Sequence, residues 1–386
     1  MSHEQNHQKS EKYDLQQERI LEPPEALVST NPLKWIKIFG PGAIIASVTI
    51  GSGELLFSSR EGSLFGYPIL SLFLLIVIMK WGISYCSMRH MILSGAHPYE
   101  RWTHFAGPKG WFPLFMVLIY VVTYPIWFSF LPGLLGTASV WIFGFGDKYF
   151  WATGFVTAAL ILLLLGTYNF LEKIQIILLS LMLLFMFIAA IVVRPDWFEV
   201  FKGFFVPQSF QYPDWALEKY PKDFANRTLL AEITMAIGAI GGASFDYLGY
   251  VSFLREKKWG RSHLGAASAS QLEEIASQRR HPARIWVRAA LIDSIASFVM
   301  LILLSACFVI LGRMILQPQH LVPSQDNLLN YQGEFLQVIS PWLLPLYKIA
   351  VIFAFAGTLY GGPELAYRIF SEYIRTIPRL HQSINQ

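Results

Sequence analysis

Charge is what this sequence has least of. Of its 386 residues only 15% are Asp, Glu, Lys or Arg, while 54% are hydrophobic; a soluble globular domain carries about 25% charged residues. That balance excludes an ordinary soluble domain and belongs to a chain that crosses a membrane many times. Cysteine is nearly absent. Cys86 and Cys307 both fall in apolar stretches, which excludes a disulfide framework and a thiolate metal site. The net charge of +4 is spread along the chain, so no nucleic-acid partner is expected. No HExxH or GxxxxGK[ST] occurs, and the loop histidines His97, His104, His263 and His281 form no such constellation. Neither an enzyme nor a bound cofactor is expected. Residues 1–33 have no apolar core of the signal-peptide kind and read as a disordered or surface-lying cytosolic tail.

Long apolar runs are abundant. A spanning helix needs about 20 mostly apolar residues, and eight segments qualify: 36–58, 64–86, 111–143, 151–168, 173–194, 229–254, 286–312 and 342–370. They make up a transmembrane body at 34–373, followed by a short cytosolic tail at 374–386. The third, too long for one straight span, carries Pro125 and Pro132 and is expected either to kink or to lay its end in the interface. The partner implied is the lipid bilayer, with thirty Phe and twelve Trp to face lipid and line its interfaces. The 255–288 connection holds eight Lys and Arg, the comparable 195–228 connection four. The richer one belongs in the cytosol, and eight spans then place both termini there, in a plasma membrane of bacterial type. QLEEIASQRRHPARIW is expected to form a short amphipathic helix, and 195–228 to lie along the outer surface.

Two of these segments are poor continuous helices. The first contains TIGSGELLFSSREG (49–62); the sixth reads AEITMAIGAIGGASFDYLGYVSFL, where Gly238, Gly241 and Gly242 precede Ser244 and Asp246. Paired glycine-interrupted spans point to a midplane site in an inverted-repeat transporter. Unwound backbone there offers carbonyls to a cation, and half-helix starts offer N–H groups to an anion. The candidate binding set is Gly51, Ser52, Gly53, Glu54, Gly241, Gly242, Ser244 and Asp246. A carboxylate at this depth costs about 2.5–3.5 kcal/mol to insert, more than the ~0.3–1 kcal/mol that complementing a helix dipole returns. Glu54 and Asp246 are therefore the tentative metal ligands or proton carriers; the plainer role for Asp246 is to cap the second half of its span with Ser244. Two more acids are candidates for proton coupling. Asp293 lies about two turns into the seventh span, where a basic residue on the cytosolic side is its expected partner. Glu364 follows Gly361-Gly362-Pro363, an expected interruption of the eighth span, and its plainer role is an i,i+4 pair with Arg368. Arg60, Glu61 and Glu232 are expected to be solvated or snorkelling at outer ends, and Lys80 to snorkel toward the cytosol.

The stretch FGPGAIIASVTIGSGELLFSSREGSLFGY (39–67) resembles the first span of the NRAMP divalent-metal transporters, which runs from GPG through DPGN to an FGY-like turn. YNFLEKIQ (168–175) is similar to that family's turn between spans four and five, and GAIGGASFDYLGY (238–250) falls where the family has its Met-Pro-His span. The resemblance covers about 34–373 in span order and departs from the family at its ligands. DPGN becomes Gly51-Ser52-Gly53-Glu54, so the metal-binding aspartate falls on Gly51 and the asparagine on Glu54. The methionine falls near Gly242 and the histidine near Ser244. Thioether and imidazole suit transition metals, while carboxylate, carbonyl and water suit Mg, Ca or Mn.

The fold this implies is an all-α integral membrane protein, a LeuT-like helical bundle of about eight transmembrane helices. Five spans are followed by three, so the second inverted repeat is expected to be incomplete. The function implied is secondary transport of a divalent metal cation, with proton coupling as an option and a hard, oxygen-rich site that adds carbonyls near Gly51 and Gly241. Two alternatives stand beside it. One is an amino-acid or other small organic solute transporter of the LeuT type, with GSG at a half-helix start. The other is a non-transporting sensor or scaffold docked through its basic loop.

Overall fold

The computed structural model describes residues 19–35, 49–165, 168–225, 227–242, 244–324 and 340–377, with the single residues 38, 40, 42, 331, 333, 335 and 337. All eight expected segments contain helix. Numbering the helices that build the body, they are α1 (Ser59–Phe65), α2 (Ile69–Ser94), α3 (Pro98–Trp102), α4 (Trp111–Phe128), α5 (Phe130–Phe143), α6 (Lys148–Leu165), α7 (Tyr168–Val192), α8 (Trp197–Phe205), α9 (Leu229–Ala239), α10 (Ser244–Lys257), α11 (Ala269–Ser277), α12 (Pro282–Leu311) and α13 (Leu344–Arg375). Among the described residues, four helical stretches are by themselves long and apolar enough to cross a bilayer: 69–94, 111–143, 282–319 and 341–375. The end of α7 and α8 form a pair bent by 119°. That bend turns α8 aside from the span before it.

The first span departs from expectation in its winding. Ile50–Ser58 is π-helical and runs directly into α1, so GSGE is a widened helical turn rather than an unwound gap; residues 43–48 lie outside the described residues. Glycine explains the close fit here. A Cβ at Gly53 would lie 2.1 Å from the Ala239 carbonyl oxygen, so only a bare backbone lets the first span rest on the end of α9. The helix also continues past the expected boundary at 58, and the second span runs from 69 to 94 rather than from 64 to 86.

The third span divides at Ser129 into α4 and α5. Pro132 lacks the N–H that would bond back to the Phe128 carbonyl, and its ring crowds that carbonyl, whereas α4 runs on through Pro125. Pro363, by contrast, does not interrupt the eighth span: α13 is continuous through Gly361-Gly362-Pro363. Neighbouring helices let a membrane helix absorb one lost backbone bond.

The charges expected at solvated outer ends are inside. Arg60 donates to Glu232 through Nε at 2.5 Å and to the Pro323 carbonyl through Nη1 at 2.8 Å. Phe224 from the 195–228 connection covers the guanidinium at 5.6 Å. Glu61 is fully buried beside them, facing the Glu232 carboxylate. The outer connection folds over these groups, which a span count does not anticipate. The expected N-terminal tail is likewise packed where it is described: Leu27 is fully buried, and Trp286 Nε1 donates to the Leu21 carbonyl at 2.8 Å. Residues 1–18 lie outside the described residues. The amphipathic helix read in 271–286 is α11, closed at its start by a reciprocal Ser268–Gln271 capping box and ended before the turn into α12.

Between α2 and α3, outside the spanning segments, His97 is fully buried. Its Nδ1 accepts the Tyr99 N–H at 3.2 Å, and its Nε2 lies 3.1 Å from the Leu248 carbonyl. These partners assign a neutral ring with the proton on Nε2. Burial pushes this imidazole down to about 4, whereas an unfolded histidine titrates near about 6.5. Below about 6.5 the unfolded chain therefore takes up a proton that the folded one refuses, and stability falls by up to about 1.4 kcal/mol per pH unit until about 4. Above that window His97 contributes no pH dependence. Thermal unfolding of detergent-solubilised protein between pH 7.5 and 4.5 tests this: the wild type should lose stability more steeply than His97→Gln.

Candidate functional site

The sixth span is broken as its glycines foretell. α9 ends at Ala239, α10 begins at Ser244, and between them Gly241 and Gly242 take φ of 81° and 74°, left-handed values that residues with a Cβ rarely adopt. A Cβ at Gly242 would also meet Thr49 at 2.4 Å. The break leaves the last carbonyls of α9 without intrahelical donors, at the negative end of the helix dipole.

Lys80 fills that need. It sits near the middle of α2 and, instead of snorkelling to the cytosol, turns its buried ammonium into the break. Nζ donates to the carbonyls of Ile240 at 2.5 Å, Gly242 at 2.7 Å and Gly238 at 3.4 Å. The hydroxyl of Tyr247 donates to the Gly241 carbonyl. The oxygens expected near Gly241 as cation ligands are thus already engaged by donors of the chain itself. Sequence reasoning missed Lys80. The available signal was a lone lysine at the centre of an apolar helix, which demands a partner at that depth.

Glu54 and Asp246 are both brought to the break and both are buried. Glu54 Oε1 accepts the Gly241 N–H at 2.7 Å, while Oε2 has no hydrogen-bond partner among the described residues. The Asp246 carboxylate lies against Gly242 on the other side: its Oδ2 would be 3.2 Å from a Cβ at that glycine. The Lys80 charge acts on both carboxylates. Gly53 packs on Ala239 as described, and Gly51 lies in the π-helical stretch; the side chains of Ser52 and Ser244 lie outside the described residues.

The other two proton-coupling candidates are elsewhere. Asp293 does not pair with a cytosolic base. Its Oδ1 accepts the Gly40 N–H at 2.9 Å, and its Oδ2 accepts the Gly42 N–H at 2.7 Å and the Tyr250 hydroxyl at 2.5 Å. Asp293 is the clasp that ties the Gly-Pro-Gly start of the first span to α12. Glu364 accepts from Arg368 at 2.6 Å, and Arg368 also reaches Glu256 at 2.7 Å. This ion-paired group joins α13 to the end of α10, away from the break.

Beside the break lies a cavity of about 530 Å³, walled by the first span, α4, the start of α5, α9 and the start of α10. Among the described residues, Asp246 is the one carboxylate in its wall, and Glu54 does not line it. Among the described residues, no group of three or more His, Cys, Asp and Glu side chains is placed to hold a metal ion. The arrangement can hold a cation against one carboxylate in a cavity far larger than a bare ion.

Comparison with known proteins gives a consistent picture. The family model described as "Natural resistance-associated macrophage protein-like" (Nramp) matches residues 42–354. The structure is similar to that of the Eremococcus coleocola manganese transporter in complex with an aromatic bis-isothiourea substituted compound, at 17% identity and a TM-score of 0.61, covering 92% of this chain and 68% of that one. It is also similar to Mhp1, a nucleobase-cation-symport-1 family transporter in a closed conformation with bromovinylhydantoin bound, at 14% identity and a TM-score of 0.50, covering 89% and 67%. At these identities the likeness is one of fold, and the fold is LeuT-like. No curated protein matches the chain.

Proposed function

Because the chain belongs to the Nramp family, membrane transporters rather than enzymes that take metal as substrate and not as cofactor, we propose that it is a secondary transporter of a divalent metal cation carried partly hydrated. The observation that carries this reading is the glycine break of the sixth span, with the buried Asp246 carboxylate in the wall of the adjoining cavity. Roughly six waters at about 30 Å³ each fit that volume together with an ion. With the break carbonyls held by Lys80, the cation meets one carboxylate and water, a hard oxygen environment that suits Mn or Mg over softer metals. The solved manganese transporter of the same fold agrees with that class of cargo.

The fixed charges also bear on coupling. Taken as ionised, Glu54 and Asp246 against Lys80 sum to one negative charge. A divalent cation leaves one positive charge in excess, and loss of the Lys80 proton restores neutrality; moving charge out of balance at this depth is costly. Proton release on cation entry follows. The reading keeps both chain ends, 1–33 and 374–386, on the cytosolic side of a bacterial-type plasma membrane and the body at 34–373 within it, supported by the excess of Lys and Arg in 255–288.

Calorimetric titration of the purified protein with Mn2+, Mg2+, Ca2+ and Zn2+ in two buffers of different ionisation heat tests this. Mn2+ or Mg2+ should bind with release of about one proton, and Asp246→Asn should weaken binding by about tenfold or more. Absence of binding by all four cations would overturn the reading and favour a scaffold.

A further inference from the structure

The cavity has more apolar wall than a metal needs. Tyr120, Tyr124, Trp127, Phe130 and Phe245 line it, with Asp246 as its carboxylate. The rings are packed into a connected surface: Tyr120 lies 5.1 Å from both Tyr124 and Phe245, and Tyr124 lies 6.3 Å from Trp127, centroid to centroid. The hydroxyls of Tyr120 and Tyr124 are buried and have no hydrogen-bond partner among the described residues. Unpaired buried hydroxyls are rare because each gives up its hydration without a replacement partner, so two in one cavity wall point to an occupant that can hydrogen-bond. A hydrated inorganic ion satisfies the carboxylate but leaves the ring faces against water.

We propose that this cavity binds an organic monocation, an aryl- or alkylammonium, with its charge against Asp246 and its body against the Tyr120, Tyr124, Trp127 and Phe245 rings. Three observations converge on that class. The volume of about 530 Å³ lies within the usual range for small organic ligands, about 300–1,000 Å³. Aromatic faces attract a cation through their quadrupoles, with an effect that grows when the site is desolvated. With both carboxylates ionised, they and the Lys80 ammonium leave one negative charge, which one monovalent cation neutralises without any change of protonation. This inference stands apart from metal transport: the amine needs neither proton release nor an additional metal ligand.

Benzylammonium chloride is the probe, its N–H groups able to meet the tyrosine hydroxyls, titrated into the purified chain in detergent, with benzyl alcohol as the uncharged control. The salt should bind with no proton exchange between buffers, and benzyl alcohol should bind about tenfold or more weakly. Asp246→Asn and Trp127→Leu should each weaken the salt by about tenfold, while Trp127→Phe, which keeps a ring face, should retain most of the affinity. Trp127→Leu keeps the test decisive if Asp246→Asn fails to fold. No binding of the salt, equal binding of the alcohol, or full affinity in Trp127→Leu overturns the proposal. Divalent binding is read in separate titrations, so either reading can fail without the other.

Discussion

Lys80→Met is expected to cost about 3–5 kcal/mol of stability, the scale for removing one partner of a buried charged set. The side chain keeps its length, so the loss is electrostatic rather than steric. Three carbonyls at the end of α9 lose their donor, and Glu54 and Asp246 lose the positive charge between them. Two further results separate this from general damage. Lys80→Met combined with Asp246→Asn should be more stable than Lys80→Met alone, because the second change removes a stranded negative charge. Added Mn2+ or Mg2+ should also raise the melting temperature of Lys80→Met more than that of the wild type, since a free cation can take the vacated carbonyls. Equal melting of Lys80→Met and wild type would show that the ammonium does not hold the break together.

Asp293→Ala is the second large effect. Its carboxylate accepts two backbone N–H groups and a phenol, and truncation strands all three donors in a dry interior. The expected loss is on the order of 4 kcal/mol. The same change detaches the start of the first span from α12, where Gly42 already sits so close that a Cβ would lie 2.2 Å from Ser297 Oγ. The expected result in detergent is a marked fall in melting temperature and in folded yield, with Asp293→Asn intermediate because its amide keeps one accepting oxygen. A melting temperature within a few degrees of wild type for Asp293→Ala would mean the clasp is dispensable.

These two residues show where reading the sequence stops. Helix existence was legible because apolar runs of about 20 residues have few other fates, and the break before Ser244 was legible because adjacent glycines permit what other residues do not. The pair between Glu364 and Arg368 was legible for the same reason: its rule is local. The partners of Lys80, Asp293 and Arg60 were not. Apart from Tyr250, 43 residues from Asp293, these lie more than a hundred residues away in sequence, so the choice between snorkelling outward and turning inward is made by packing between spans. The winding of GSGE was misjudged on similar grounds. Glycine allows both an unwound gap and a wide π-turn, and the close approach of Ala239 to Gly53 accompanies the second. At the candidate site, the sequence named both carboxylates at the break but not the lysine between them or the aromatic wall contributed by α4.

The most direct test of the account is uptake of Mn2+ or Mg2+ into sealed vesicles reconstituted with the full chain. Saturable uptake above protein-free vesicles, abolished in Asp246→Asn, is the predicted result. Vesicles that take up no divalent cation, or an Asp246→Asn variant that transports as well as the wild type, would contradict it.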